Sequence, residues 1–146
     1  MPSIVVIILI GLAGGIAVGV QAPLSSTINQ RLGPLESIFI VHLGGAIASL
    51  IPLAIFYGGG KLGNWRIVPW YALGAGALGL VVIFSMTYMI PRVGIAPALI
   101  ILLSGQLLIG SVMDHFGLLG AVQRPIDLMR VIGLCVVFLG VWLSVK

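Results

Sequence analysis

Charged residues are unusually few in this chain. Only 7% of its 146 residues are charged, whereas 60% are hydrophobic and the mean hydropathy is +1.28. A typical soluble domain carries about 25% charged residues, because its surface faces water. The shortage of charge therefore excludes an ordinary soluble domain and predicts an integral membrane protein.

Cysteine and clustered basic residues are also scarce. The one cysteine, Cys135, lies in an apolar run, so it has no intrachain disulfide partner and is interpreted as inert packing. The seven Lys and Arg residues are scattered singly, which argues against nucleic-acid binding despite a net charge of +4. Metal-ligand spacing, a phosphate loop and a nucleophile motif are all missing from the sequence. We therefore predict no metal, no cofactor and no enzymatic activity.

Long apolar runs make up most of the sequence. They predict an all-α fold with five transmembrane helices in a single domain, 1–146. A helix of about 20 apolar residues is long enough to cross a bilayer. Pro23 is expected to kink the first helix, although a shorter span followed by a polar loop fits that stretch equally well. Pro91 and Arg92 predict a tight turn after the third span. The predicted spans are about 4–31 (kinked), 37–57, 67–90, 93–113 and 128–145.

Glycines recur at helical spacing and predict faces for close helix packing. Gly11, Gly15 and Gly19 lie four residues apart in the first span. In the third span, Gly76 and Gly79 each follow an alanine by four residues. Small residues at this spacing let membrane helices approach closely, so we interpret these five glycines as packing positions.

Basic residues are almost evenly divided between the two sides of the membrane. With five spans the termini lie on opposite sides, and the side of the N-terminus receives four basic residues against three. The four are Lys61, Arg66, Arg124 and Arg130, and the three are Arg31, Arg92 and Lys146. Since the Lys/Arg bias sets orientation, this division predicts insertion both ways up. Two oppositely inserted copies would then form an antiparallel homodimer, with the inverted-repeat architecture of many transporters.

A few polar side chains within the spans form the candidate substrate path. Gln21, Ser25 and Asn29 lie four residues apart, on one stripe if the first helix continues past Pro23. Gln106 in the fourth span shares a face with Gly110. Polar groups are costly in lipid, so they usually face protein, water or a substrate.

An acid and an imidazole, Asp114 and His115, stand where the fourth span ends. A carboxylate at a helix C-terminus opposes the helix dipole and needs compensation. The candidates for that compensation are His115, Arg124 and Arg130. Asp114 is then either a proton-coupling group or half of a structural ion pair with Arg130, and both interpretations stay open. His42, in the second span, is interpreted as a helix-bridging group more readily than as a proton carrier.

Four motifs together resemble the YdcZ-like family of the drug/metabolite transporter superfamily. They are GVQAPLSSTINQRLG (19–33), PWYALGAGALG (69–79), PRVG (91–94) and GQLLIGSVMDHFGLLG (105–120). The resemblance implies a bacterial inner-membrane protein of five spans, which occurs as a dual-topology single chain, as oppositely oriented pairs or as a fused two-domain chain. The first span has no acidic residue such as small multidrug relatives use to bind cations, so the resemblance does not extend to that mechanism.

The residues and the resemblance together predict a secondary active transporter or exporter. It would move a small polar or amphipathic molecule of unknown identity across the bacterial inner membrane. Its expected partners are membrane lipid and either a second, antiparallel copy or an oppositely oriented paralogue. The alternatives are a non-transporting membrane subunit or scaffold, and a passive channel, although a channel needs a more continuous polar lining.

Overall fold

A computed structural model describes residues 4–146, and this part of the chain is 87% helical with no strand. The helices are α1 (Ile4–Leu32), α2 (Pro34–Tyr57), a 3₁₀ helix (Leu62–Ile67), α3 (Trp70–Leu73), α4 (Ala75–Val93), α5 (Ile95–Phe116), a 3₁₀ helix (Leu118–Gly120) and α6 (Leu128–Val145).

Five segments are long and apolar enough to cross a bilayer, with mean hydropathies from 1.9 to 2.5. They are α1, α2, α3 together with α4, α5 and α6. Most of their large apolar side chains are exposed, and the hydrophobic side chains buried among the described residues are Ala22, Ile38, Met86 and Ala98. Such outward-facing apolar surface suits lipid as the surrounding solvent. The predicted all-α fold with five membrane-spanning helices is confirmed.

The chain divides into two compact units, the first ending at Tyr88 and the second beginning at Met89. In the first unit α1 and α2 pack together. The α1 helix runs unbroken through Pro23 to Leu32. At the contact, the Ser37 hydroxyl of α2 donates to the Ser25 carbonyl of α1 at 2.8 Å, and both serines are buried. Small polar side chains therefore allow the two helices to approach closely without an unsatisfied hydroxyl.

A single glycine joins α1 to α2, and another joins α4 to α5. Gly33 has φ 115° and ψ 166°, and Gly94 has φ 88° and ψ 170°. The N–H of each donates to the carbonyl four residues earlier, at 3.0 Å in both cases. This backbone conformation is almost closed to residues with a Cβ. The chain therefore passes from one helix to the next through a single non-helical residue. The helical hydrogen bonds resume at Ser37, whose N–H donates to the Gly33 carbonyl, and at Ala98, whose N–H donates to the Gly94 carbonyl.

The turn expected at Pro91 and Arg92 lies at Gly94 instead. Both residues belong to the last turn of α4, which ends at Val93. The fixed φ of proline is compatible with a helix, and what Pro91 removes is one hydrogen bond to the preceding turn of α4. Glycine supplies the positive φ that the reversal requires.

Replacing Gly94 by alanine is expected to destabilise the protein by about 1–3 kcal/mol, because the substitution forces a Cβ into a glycine-only conformation. The added methyl group would touch only Pro97 Cδ, at 3.8 Å, so the cost is conformational and not steric. Gly105→Ala in α5 is the matched control, since it meets open space and favours the helix by about 0.5–1 kcal/mol. Unfolding titrations of the two variants in mixed micelles measure the difference. Equal stabilities would contradict the assignment of Gly94 as the strained junction.

The surroundings of the two glycine junctions repeat along the chain. Each glycine follows an arginine and an aliphatic residue, as Arg31–Leu32–Gly33 and as Arg92–Val93–Gly94. The two glycines are 61 residues apart in the sequence (94 − 33 = 61). The same separation relates the buried Ser26 to the buried Thr87 and the buried Ser37 to the buried Ala98. The α1–α2 segment and the α4–α5 segment are therefore two versions of one local pattern.

In the second unit α5 and α6 pack together, and residues 117–127 connect them. Gly117 ends α5 in the left-handed conformation, with φ 64°. Asp127 begins α6, and its Oδ1 accepts a hydrogen bond from the Arg130 N–H at 2.8 Å. These two caps fix where the helices end and so position the side chains of their last and first turns.

Candidate functional site

A cavity of about 360 Å³ lies between α5 and α6. We call it the α5–α6 cavity. Its lining includes the polar groups Gln106, Ser111, Asp114 and Arg130 among apolar and glycine residues. The remaining lining residues are Leu107, Gly110, Gly133, Leu134 and Val137. Ligand pockets in proteins typically measure about 300–1,000 Å³, so this cavity suits a small molecule.

Helical periodicity explains the lining. Gln106, Gly110 and Asp114 follow one another at four-residue intervals on α5, so they face the same side. Gly110 and Gly133 leave space, because a methyl group added at either position would meet no atom within 4 Å. The cavity therefore depends on glycines in both walls, with the charged groups at one end.

An ion pair stands at that end of the cavity. Arg130 Nη1 lies 3.4 Å from Asp114 Oδ2, in a single contact and not a two-pronged one. The Arg130 side chain is 30% exposed and the Asp114 side chain 41% exposed. The same Nη1 donates to the Arg124 carbonyl at 3.3 Å. Ion pairs this exposed contribute about 0–1 kcal/mol to stability, so this one is easily opened.

His115 takes no part in the ion pair and faces the connecting segment instead. Its Nδ1 accepts a hydrogen bond from the Ile126 N–H at 3.0 Å, so the ring proton of the neutral form lies on Nε2. Its carbonyl accepts from Gln123 Nε2 at 3.3 Å. The Asp114 carbonyl accepts from the Arg124 N–H at 2.8 Å. Three hydrogen bonds thus hold residues 123–126 against the end of α5.

The other predicted path residues belong to the first unit, not to the α5–α6 cavity. Gln21 is exposed and Asn29 is half-buried on α1, whereas Ser25 is buried against α2. Of the four residues predicted to line a substrate path, Gln106 lines the cavity. A cargo-contacting role for the other three stays a prediction.

The predicted packing glycines differ in their surroundings. At Gly11, Gly15, Gly19 and Gly76 an added methyl group would meet no atom within 4 Å. At Gly79 it would lie 2.5 Å from His42 Nε2. Within the described chain Gly79 is thus the predicted packing glycine with a close neighbour. A helix-packing role for the other four stays a prediction.

His42 contacts α4 through Gly79. Its Nδ1 lies 2.8 Å from the Ile38 carbonyl, four residues earlier on α2. A carbonyl only accepts, so Nδ1 donates and Nε2 is left as the acceptor of the neutral ring. The absent side chain of Gly79 provides the space that this ring occupies.

Gly79→Ala is therefore expected to displace the His42 ring and weaken its bond to Ile38, at a cost of about 1 kcal/mol. In a His42→Ala background the same substitution should instead stabilise the helix by about 0.5–1 kcal/mol, because the ring is gone and the methyl group meets open space. Gly76→Ala, which meets open space, is the matched control. Unfolding titrations of the four variants of this double-mutant cycle measure the coupling. Additive effects of the two substitutions would contradict the contact.

Sequence reasoning missed Ser111 and the α6 wall of the cavity. Gly133, Leu134 and Val137 continue from Arg130 at intervals of three and four, so the position of Arg130 was the available signal. Ser111 precedes Asp114 by three residues, which was the available signal for it. Its hydroxyl donates to the Leu107 carbonyl of its own helix, as serines in membrane helices commonly do.

These features define a polytopic helical membrane protein with a small, partly polar cavity between its last two helices. The chain belongs to the YdcZ family of the drug/metabolite transporters, because the family model DMT_YdcZ, which describes an inner membrane exporter, matches residues 6–143. No curated protein and no solved structure matches the chain. It is a multi-pass inner-membrane protein of a family described as inner membrane exporters.

Proposed function

We propose that this chain is a secondary transporter that exports a small polar or amphipathic molecule, and that the α5–α6 cavity holds the cargo. The observation that carries the proposal is the composition of the cavity wall. Gln106, Asp114 and Arg130 face one space of about 360 Å³ between two largely apolar helices. Gln106 lies near the middle of α5, and polar groups at that membrane depth are rare and usually face protein, water or a substrate path.

The cavity also offers the combination of surfaces that an amphipathic cargo requires. Leu107, Leu134 and Val137 supply apolar contact, whereas the amide of Gln106 can both donate and accept hydrogen bonds. A few placed polar groups in an apolar lining give orientation and specificity in small-molecule sites. Family membership supports export as the direction of transport.

The proposed working unit is an antiparallel homodimer, in which two copies insert with opposite orientations. The four-to-three division of basic residues supports insertion both ways up. The open ridge formed by Gly11, Gly15 and Gly19 supports contact with another helix, because small residues allow close approach in a membrane. An oppositely oriented paralogue could take the place of the second copy and make the same contacts.

Untargeted mass spectrometry of the growth medium tests export of a cargo whose identity is not known. Cells that express the chain are compared with cells that carry an empty vector, at equal growth and equal membrane protein content. We expect at least one small molecule to accumulate in the medium of expressing cells. Identical medium profiles, with the protein present in the membrane, would contradict the proposal.

A further inference from the structure

The two charges of the α5–α6 cavity lie on different helices, at the ends least suited to them. Asp114 is in the last turn of α5, whose C-terminus already carries partial negative charge. Arg130 is in the first turn of α6, whose N-terminus carries partial positive charge. Asp127, the N-cap of α6, offsets part of the positive potential. The cavity end therefore combines an electronegative corner on α5 with an electropositive corner on α6.

The ion pair is not required to fasten the connecting segment. The Arg124 N–H, the Ile126 N–H and the Gln123 side chain already bind the end of α5 through three hydrogen bonds. Asp127 fixes the start of α6 through the Arg130 backbone. The Asp114–Arg130 contact adds one bond of 3.4 Å between half-exposed side chains. Both charges can therefore exchange their mutual contact for a ligand while the backbone stays in place.

We propose that the cargo is a small zwitterion, with an ammonium group that binds Asp114 and a carboxylate that binds Arg130. This inference rests on the proposed function and names its substrate class. The paired charges sum to zero, so a ligand with one charge of either sign would leave one protein charge uncompensated. A dipolar ligand satisfies both, and each of its charges meets the helix terminus of opposite sign.

The remaining lining defines the body of the zwitterion. Leu107, Leu134 and Val137 favour an aliphatic side chain, and a volume of about 360 Å³ lies at the small end of ligand pockets. The Ser111 hydroxyl donates to its own helix, so it offers the ligand an acceptor. An ammonium group is a donor and fits that acceptor beside Asp114. A free aliphatic α-amino acid has this combination of size and charge.

Binding of three nearly isosteric probes to the purified 146-residue chain tests the inference. L-leucine carries both charges, 4-methylpentanoate carries only the carboxylate, and 3-methylbutylamine carries only the ammonium. Affinities are measured by titration calorimetry in lipid nanodiscs. Charge-assisted hydrogen bonds contribute about 1.5–3 kcal/mol each, so leucine is expected to bind about tenfold tighter, or more, than either analogue. Leucine that binds no tighter than the analogues, or does not bind, would overturn the inference.

Two neutralised variants give a readout that a merely structural ion pair would not produce. Asp114→Asn should weaken leucine and strengthen 4-methylpentanoate, because Arg130 is then free for the carboxylate. Arg130→Gln should weaken leucine and strengthen 3-methylbutylamine. Arg124→Gln is the control, since Arg124 contacts the pair through its backbone carbonyl. A uniform loss of affinity for all three probes in both variants would assign the pair to folding and overturn the inference.

The medium comparison separates failure of this inference from failure of the proposed function. If the probes do not discriminate but the medium of expressing cells still gains a small molecule, export stands and the zwitterion assignment is wrong. If the medium is unchanged as well, the proposed function fails.

Discussion

Gly110→Leu is expected to reduce export to the level of cells that lack the protein. Gly110 lies in the α5 wall of the α5–α6 cavity, and a side chain added there meets open space. A leucine at this position would point into the volume proposed for the cargo and occupy it. Helix formation should not suffer, because leucine has a higher helix propensity than glycine. Medium profiling of cells that express this variant measures the effect.

Gly105→Leu is the matched control for that experiment. Gly105 lies on the same helix, also meets open space, and is not part of the cavity lining. Five residues separate the two glycines, which places them about 140° apart around the helix. This variant should export like the unmodified chain. Normal export by both variants would show that the cavity does not hold the cargo. Equal loss of export in both would show that any large side chain added to α5 impairs export, whether or not it fills the cavity.

Small changes in the count of basic residues are expected to fix the orientation of the chain. Arg31→Gln with Lys146→Gln leaves four basic residues on the side of the N-terminus and one on the other. Lys61→Gln with Arg66→Gln and Gln30→Lys leaves two on the side of the N-terminus and four on the other. The richer side stays in the cytoplasm. The first variant should therefore place its C-terminus outside, and the second should place it inside.

C-terminal fusions to one reporter active only in the cytoplasm and to one active only outside measure these orientations. The unmodified chain should give comparable signals from both, because its four-to-three division barely favours either orientation. Each altered chain should give signal from one reporter, and the two chains should differ in which one. None of the substituted residues lines the α5–α6 cavity. A single-sided signal from the unmodified chain would contradict dual topology.

The sequence predicted the fold because hydropathy acts over whole segments. Five runs long enough to cross a bilayer leave few alternatives to five helices, since every backbone polar group in lipid must be satisfied within its own helix or by a neighbour. The helix ends were less certain. Pro91 suggested a turn, but the positive φ of Gly94 determines where α4 ends. The available signal was Gly94 itself, because glycine is the residue that most readily adopts a positive φ.

The site was predictable in part, for a physical reason. Positions four apart on one helix share a face, so Gln106, Gly110 and Asp114 could be grouped from the sequence alone. Arg130 was named from the sequence as a possible partner of Asp114. The other α6 residues that line the cavity were not named, because the rotation of α6 against α5 depends on packing. His115 illustrates the same limit. Asp114 faces Arg130, whereas the Nδ1 of His115 accepts a hydrogen bond from the Ile126 N–H. The two side chains have different partners because adjacent residues on a helix point about 100° apart.

Co-expression of the two orientation-fixed variants is the most direct test of the proposal that the transporter is an antiparallel dimer. Cells express either orientation-fixed variant alone, or both together, and their media are profiled against cells with the unmodified chain. We predict that neither variant alone exports, that the two together restore export, and that adding Gly110→Leu to both abolishes the restored activity. Export at the unmodified level by either variant alone would contradict the proposal that two oppositely inserted copies form the transporter.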